Sequence, residues 1–270
     1  MNSKKNNPMK INWLHISDVH ENKRNGDHER FARDMLHQKI LSAVQEHEEQ
    51  IDFIFFAGDL AFGGKHTEYS TLQDNFLTPL RQQCLGAKLY CVPGNHDVDR
   101  ESMINPRLAL TERGYKENFL NVGANGQRYR TQNIFPRFEN YQAAQQAACS
   151  NWTNAEWLSS EEGSICDRLD HNGIDLAVIG INTAWLCHDN QDNGKLTAGP
   201  NMVRAALKKA EGAHLKIVLA HHPLSSMEGE AEWTHATSLR QDLCAARVVY
   251  LYGHQHKPGV QIEGTNDRNL

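Results

Sequence analysis

Apolar residues in this chain fall into short runs that alternate with longer amphipathic stretches. Ile11 to Ser17 (INWLHIS), Asp52 to Ala57 (DFIFFA) and the first half of Leu89 to Asp97 (LYCVPGNHD) are brief and rich in strand-forming side chains. Ile174 to Ile181 (IDLAVIGI), Leu215 to Ala220 and Val248 to Tyr252 have the same character. Each run predicts a strand, and the unbroken apolar stretch before Gly58 predicts one buried on both faces. Between them, Glu29 to Gln50 carries Phe31, Met35, Leu36, Ile40, Leu41 and Val44 at helical spacing. Thr67 to Gln82, with an interruption expected at Pro79, and the stretches Gly199 to Glu211 and Thr237 to Ala246 also read as helices. Strand followed by helix, repeated, defines an α/β chain.

The alternation fails from Asp99 to about Asn172. This stretch is polar, with isolated aromatics and with Arg107, Arg128 and Arg130. It reads as a long insertion at about 99–172, partly helical around Phe138 to Cys149 and near Asn154 to Leu158, and serves either as a lid or as packing around the core. Residues 1–10 (MNSKKNNPMK) are polar and expected to be disordered. The folded domain is expected to span 11–258, followed by a short tail at 259–270.

Composition narrows the class. With 270 residues, 39% of them hydrophobic and 23% charged, the chain can bury a sizeable core as one large domain. A net charge of −5 gives no general pull towards nucleic acid or anionic membrane. No apolar run approaches the roughly 20 residues of a membrane span, and the opening residues carry no signal-peptide pattern. The six cysteines are scattered without a CxxC pair and read as reduced, which favours the cytoplasm. Histidine is over-represented, with 15 residues, and five of these fall where the strands end.

Five strand ends finish in polar clusters: Asp18-x-His20, Gly58-Asp59, Gly94-Asn95-His96-Asp97, His221-x-Pro223 and Gly253-His254-x-His256. Alone, an Asp-x-His or a Gly-Asp is an ordinary turn, and His221-His222-Pro223 a plausible helix start. Together, each after an apolar run, they form a pattern that turns do not explain. Strands of one layer deliver their ends to a common rim, so groups far apart in sequence can converge there. Carboxylate, amide and neutral imidazole form an oxygen and nitrogen donor set without thiolate, suited to Mn, Fe, Zn or Co. Asp18 and His20, two apart on an extended strand end, can share one ion. His254 and His256 can do the same, or a turn can aim them at two ions. Gly58, Gly94 and Gly253 let the backbone turn beside such ions.

These motifs resemble the calcineurin-like metallophosphoesterases, over most of Ile11 to Lys257, with closest likeness to the bacterial cyclic-nucleotide phosphodiesterase branch. The resemblance implies a four-layer αββα sandwich of two mixed sheets flanked by helices, with a binuclear metal centre at the strand ends. It implies that Asp18, His20 and His256 hold one metal, that Asn95, His221 and His254 hold the other, and that Asp59 bridges both. Manganese is the first choice of metal, with Fe, Zn or Co as alternatives. His96 matches the histidine that acts on the leaving group, and Asn95 and His96 would touch substrate.

Two divalent cations among these ligands would leave the site net positive, attractive to a phosphate ester, and a water between them would become the nucleophile. Arg100 is either a phosphate clamp or a surface ion pair. Asp97 either orients His96 or stabilises its turn. His222 is either packed or lies just behind the ligands. The expected activity is hydrolysis of phosphodiester bonds, with a nucleotide or cyclic nucleotide as the first substrate class. A metal-dependent nuclease acting on DNA or RNA is the alternative, and a non-catalytic binding domain the third reading. Because the family usually continues with further strands, the short tail fits a catalytic domain belonging to a longer multidomain protein.

Overall fold

The computed structural model describes residues 10–21, 27–47, 50–102, 105–107, 115–148, 157–189, 191–229 and 235–256. Strands β1 (Trp13–Ile16), β2 (Phe53–Ala57) and β3 (Lys88–Val92) form a parallel sheet in the order β1-β2-β3. Strands β4 (Ser164–His171), β5 (Ile174–Ile181), β6 (Leu215–Leu219) and β7 (Val249–Leu251) form a second sheet in sequence order. In it β4 runs antiparallel to β5, while β5, β6 and β7 are parallel. The sheets face one another through β2 against β6 and β3 against β5. Helices flank both, giving the expected α/β sandwich. All five residues of β2 are buried, as its unbroken apolar sequence predicts.

Helix α1 (Asp27–Glu46) follows β1, and a helical run joins β2 to β3. That run is α2 (His66–Leu72), a π-helical segment (Gln73–Leu77) and α3 (Thr78–Gln83). The predicted interruption at Pro79 is therefore a widened turn inside a continuous helix. Proline brings no N–H for a normal bond, and Thr78 N–H reaches back five residues to Gln73 O. In the second half, α7 (Pro200–Lys209) and α8 (Ala236–Ala246) precede β6 and β7.

The predicted irregular stretch needs two corrections. Its last part is a strand, β4, closed onto β5 by an Asn172-Gly173 turn with φ of 52° and 84°. Positive φ at both turn residues matches the twist of the paired strands. The strand escaped detection because it is a half-exposed edge that carries Arg168 and Asp170 outward. Second, the insertion contains α4 (Tyr115–Leu120), α5 (Ala124–Asn133) and α6 (Glu139–Ala148), a larger helical content than expected. The expected N-terminal disorder, the C-terminal tail, and most of the helix near Asn154 to Leu158 lie outside the described residues; at its described end stands a 3-10 turn, Trp157–Ser159.

These insertion helices are packed, not loose. Phe119 and Phe138 meet Trp185 edge-on, with ring centroids 6.1 and 5.7 Å apart. Arg130, wholly buried, donates to the carbonyls of Phe119, Asn121, Ser160 and Glu161 at 2.8–3.1 Å. Burial lowers its pKa to about 10, so it stays charged at neutral pH. Truncation would remove the shared donor of four carbonyls at once, that of Phe119 buried and the others partly so. Arg130→Ala is expected to cost about 3 kcal/mol, a fall in Tm of about 6–12 °C by calorimetry.

Candidate metal centre

Parallel pairing brings the carboxyl ends of β1, β2 and β3 to one rim, and those of β6 and β7 to the same rim from the facing sheet. Beyond the last paired residues the chain stays laced. Asp18 N–H donates to Gly58 O at 3.1 Å, His20 N–H to Asp59 O at 2.9 Å, and Gly253 N–H to His221 O at 2.9 Å. His254 N–H donates to both Asp18 oxygens at 3.0 and 3.1 Å, joining one sheet to the other. Asp18, His20, Asp59, His254 and His256 all have positive φ, between 51° and 71°. Non-glycine residues rarely adopt that conformation, and here it turns successive side chains inward from each strand end.

The seven expected ligands meet in two linked groups. His20 Nε2 and His256 Nε2 lie 3.2 Å apart, and Asp18 Oδ1 sits 3.9 and 3.3 Å from them. Asn95 Oδ1 is 3.0 Å from both His221 Nε2 and His254 Nδ1. Asp59 Oδ2 faces both groups, 3.2 Å from His221 Nε2 and 3.7 Å from His20 Nε2. Its other oxygen accepts the His96 N–H at 2.8 Å, which fixes the direction of the first. Among the described residues, Asp18-His20-His256 and Asp18-Asp59-His221 each bring donor atoms within 4.8 Å of one another.

This geometry fits divalent cations. His221 Nδ1 lies 2.8 Å from the Ala57 carbonyl, which can only accept, so that nitrogen carries a proton and Nε2 is the one aimed inward at the other donor atoms. Burial would lower the His221 pKa, but the Asp59 carboxylate overrides it and lifts it to about 9. The negative potential that attracts a proton there attracts a dication more strongly. For Asp59 itself, burial works against ionisation, yet His221, His96 and His20 hold its pKa below the ordinary carboxylate range. At His20, burial lowers the pKa to about 4 against the pull of Asp59, keeping the imidazole neutral and able to ligate.

The remaining predicted residues have distinct places. His222 is fully buried behind the ligands. Its Nδ1 is 2.8 Å from Thr183 Oγ1, its Nε2 3.9 Å from Cys187 Sγ, and its ring centroid 4.5 Å from that of His254. Arg100 lies 4.0 Å from Asp192, a carboxylate that Arg107 also binds, which is the ion-pair arrangement. Asp97 stabilises its turn, accepting from Gly94 N at 2.9 Å, Ala61 N at 3.0 Å and the Tyr69 hydroxyl at 2.9 Å. Burial and the Asp59 charge raise its pKa to about 6 against these bonds.

His96 is held by another group, the Phe62 carbonyl, 2.7 Å from its Nδ1. Asp97 therefore acts on His96 only through the loop that its carboxylate ties down. The sequence reading missed Phe62 and Thr183, and backbone and hydroxyl contacts of this kind leave no motif to find.

Two sheets packed face to face, with aspartate, asparagine and histidine gathered at one rim of strand ends, define the metal-dependent phosphoesterase architecture. The chain belongs to the calcineurin-like phosphoesterase family, whose model matches residues 11–258. No curated protein matches it. Similar solved structures include the GAP50 anchor of the inner membrane complex of Plasmodium, at 14% identity and a TM-score of 0.45, covering 89% of this chain and 64% of that one. Another is the purple acid phosphatase PPD1 from yellow lupin seeds (Lupinus luteus), at 15% identity and 0.48, covering 91% and 38%. A third is a Staphylococcus aureus structure described as a 5'-nucleotidase in complex with alpha-ketoglutarate, at 12% identity and 0.45, covering 93% and 46%. The chain thus spans less than two thirds of each of these proteins.

Proposed function

We propose that this chain is a binuclear metallophosphoesterase that hydrolyses phosphodiester bonds. The observation that carries the reading is the single Asp59 carboxylate facing two separate imidazole groups, 3.2 Å from His221 and 3.7 Å from His20. Asp18, His20 and His256 would hold one cation, Asn95, His221 and His254 the other, and Asp59 both. Manganese suits the oxygen and nitrogen donors, as do Fe, Zn and Co. Two such cations would supply Lewis-acid activation of water and neutralise charge gathering on the phosphoryl group.

The chain's own residues prepare that chemistry. Asp18 is gripped by the His254 N–H and Asp59 by the His96 N–H, so neither carboxylate can swing away. His221 has its outer nitrogen fixed by Ala57. The Phe62 carbonyl holds His96 Nδ1–H, which leaves Nε2 to carry a proton to the departing oxygen. Beside His96, an open groove of about 430 Å³ gives space for an organic group on the leaving side of a diester.

The test is a panel of bis-p-nitrophenyl phosphate, cyclic nucleotides, and single- and double-stranded nucleic acid, assayed with the Mn-loaded chain. Diester turnover that strong chelators remove is the expected result. Turnover confined to nucleic acid would favour the nuclease, and none at all the non-catalytic domain. Within the panel, His96→Ala is expected to keep its metals and lose about 10²–10⁴-fold in kcat, most with poor leaving groups. A collapse of metal content in that variant would make His96 a ligand.

A further inference from the structure

The groove beside His96 is lined by Val19, by Arg33 and Leu36 of α1, by Phe62, and by the metal-facing His20 and His256. Among the described residues, no carboxylate lines it. Phe62 and Leu36 are each 48% exposed, an unusual display for large apolar side chains next to a polar centre. The Phe62 ring stands on an anchored stretch of backbone. Its N–H donates to Glu21 O at 3.0 Å, its carbonyl takes the His96 proton, and the preceding Ala61 is tied to Asp97. Its centroid lies 5.0 Å from His96 and 6.1 Å from His20, with His96 and His20 edge-to-face at 4.6 Å.

We infer that this groove is a subsite for a flat aromatic group on the substrate, such as a nucleobase, and that Phe62 and Leu36 are its specificity-determining residues. The inference rests on the phosphoesterase reading and adds the chemistry of the organic part. An anionic ester enters best along walls free of carboxylate, and its phosphate belongs at the histidine end. From there the groove runs over aromatic and aliphatic faces that give a sugar or an extended phosphate chain few hydrogen-bond partners. A planar ring gains dispersion and offset stacking against a phenyl face whose backbone is already anchored, with little ordering cost. Nucleobases stack on aromatic side chains in this manner whatever their sequence. Arg33 forms part of the wall through its stem, its guanidinium paired with the buried Glu21 at 3.3 Å.

The experiment uses the Mn-loaded full chain and two probes that share a phosphate and a sugar, adenosine monophosphate and ribose phosphate. Dissociation constants from calorimetry are compared for the natural chain and for Phe62→Ala, Phe62→Leu, Phe62→Tyr and Leu36→Ser. The adenosine compound should bind about tenfold more tightly than the sugar phosphate, and Phe62→Ala should erase most of that ratio. Phe62→Tyr should preserve it, with Phe62→Leu and Leu36→Ser between. A ratio near one in the natural chain, or a ratio that survives Phe62→Ala, would overturn the subsite. So would tighter binding of a glycerophosphodiester bearing an acyl chain, which would make the occupant aliphatic. If bis-p-nitrophenyl phosphate is still turned over in those cases, only this inference fails. Loss of turnover on every substrate would instead remove the phosphoesterase reading beneath it.

Discussion

Asp59→Ala is expected to release both cations and to end turnover. The carboxylate is 1% exposed and faces His221 and His20 at once, so no neighbouring oxygen can replace it. Asp18 is engaged by the His254 N–H, and the Asn95 amide brings no charge. Without Asp59, two dications would share one carboxylate, and each would lose its anionic bridge. Elemental analysis after Mn reconstitution should fall from about two ions per chain to well under one. Rates should drop on the order of a thousandfold or more, since a metal centre supplies several kcal/mol to such transition states. Asp59→Asn keeps the shape and the contact with the His96 N–H but lacks the charge, so it should retain the fold while still losing metal. Unchanged metal content and rate in either variant would remove Asp59 from the bridging position.

The centre was legible in the sequence because buried parallel strands write themselves as apolar runs. Each run that ended in a polar cluster marked a strand end, and parallel pairing supplied the convergence. Asp18, Asp59, Asn95, His221, His254 and His256 could therefore be placed without coordinates. What escaped notice had a physical reason in each case. Strand β4 lies at an edge, and all but its first two residues are partly or fully exposed, so SICDRLDH shows no apolar run. Its strongest signal was the turn, Asn172-Gly173, where both residues adopt positive φ. Helix α5 (ANGQRYRTQN) has no apolar stripe, because its anchor is the buried Arg130 with four carbonyl partners. Phe62 was invisible because its role is divided between a carbonyl oxygen and an exposed ring. The neighbouring Asp97 read as a candidate orienter for His96, whereas its oxygens serve the loop that carries Phe62.

Gly94→Ala should disable the same centre without replacing a ligand. A Cβ at this position would overlap the Asp59 carboxylate and lie 2.6 Å from the Asp59 backbone nitrogen. A flexible side chain could yield, but backbone nitrogen cannot, so the turn after β3 or the one after β2 must move. Movement of the first carries Asn95 with it, and movement of the second carries Asp59. The Gly94 N–H also donates to Asp97 at 2.9 Å, so the shift would strain the bonds that anchor the Leu60 to Phe62 loop. Overpacking of this kind costs about 1–3 kcal/mol of stability, and displaced support beside a metal weakens binding by about 10–100-fold. Metal titration of the variant should show that weakening together with a lower Tm. Gly253→Ala is the parallel case on the facing sheet, where a Cβ would lie 2.7 Å from Asp18 Oδ2. Normal affinity in Gly94→Ala would mean that the strand-end turns do not approach as closely as the centre requires.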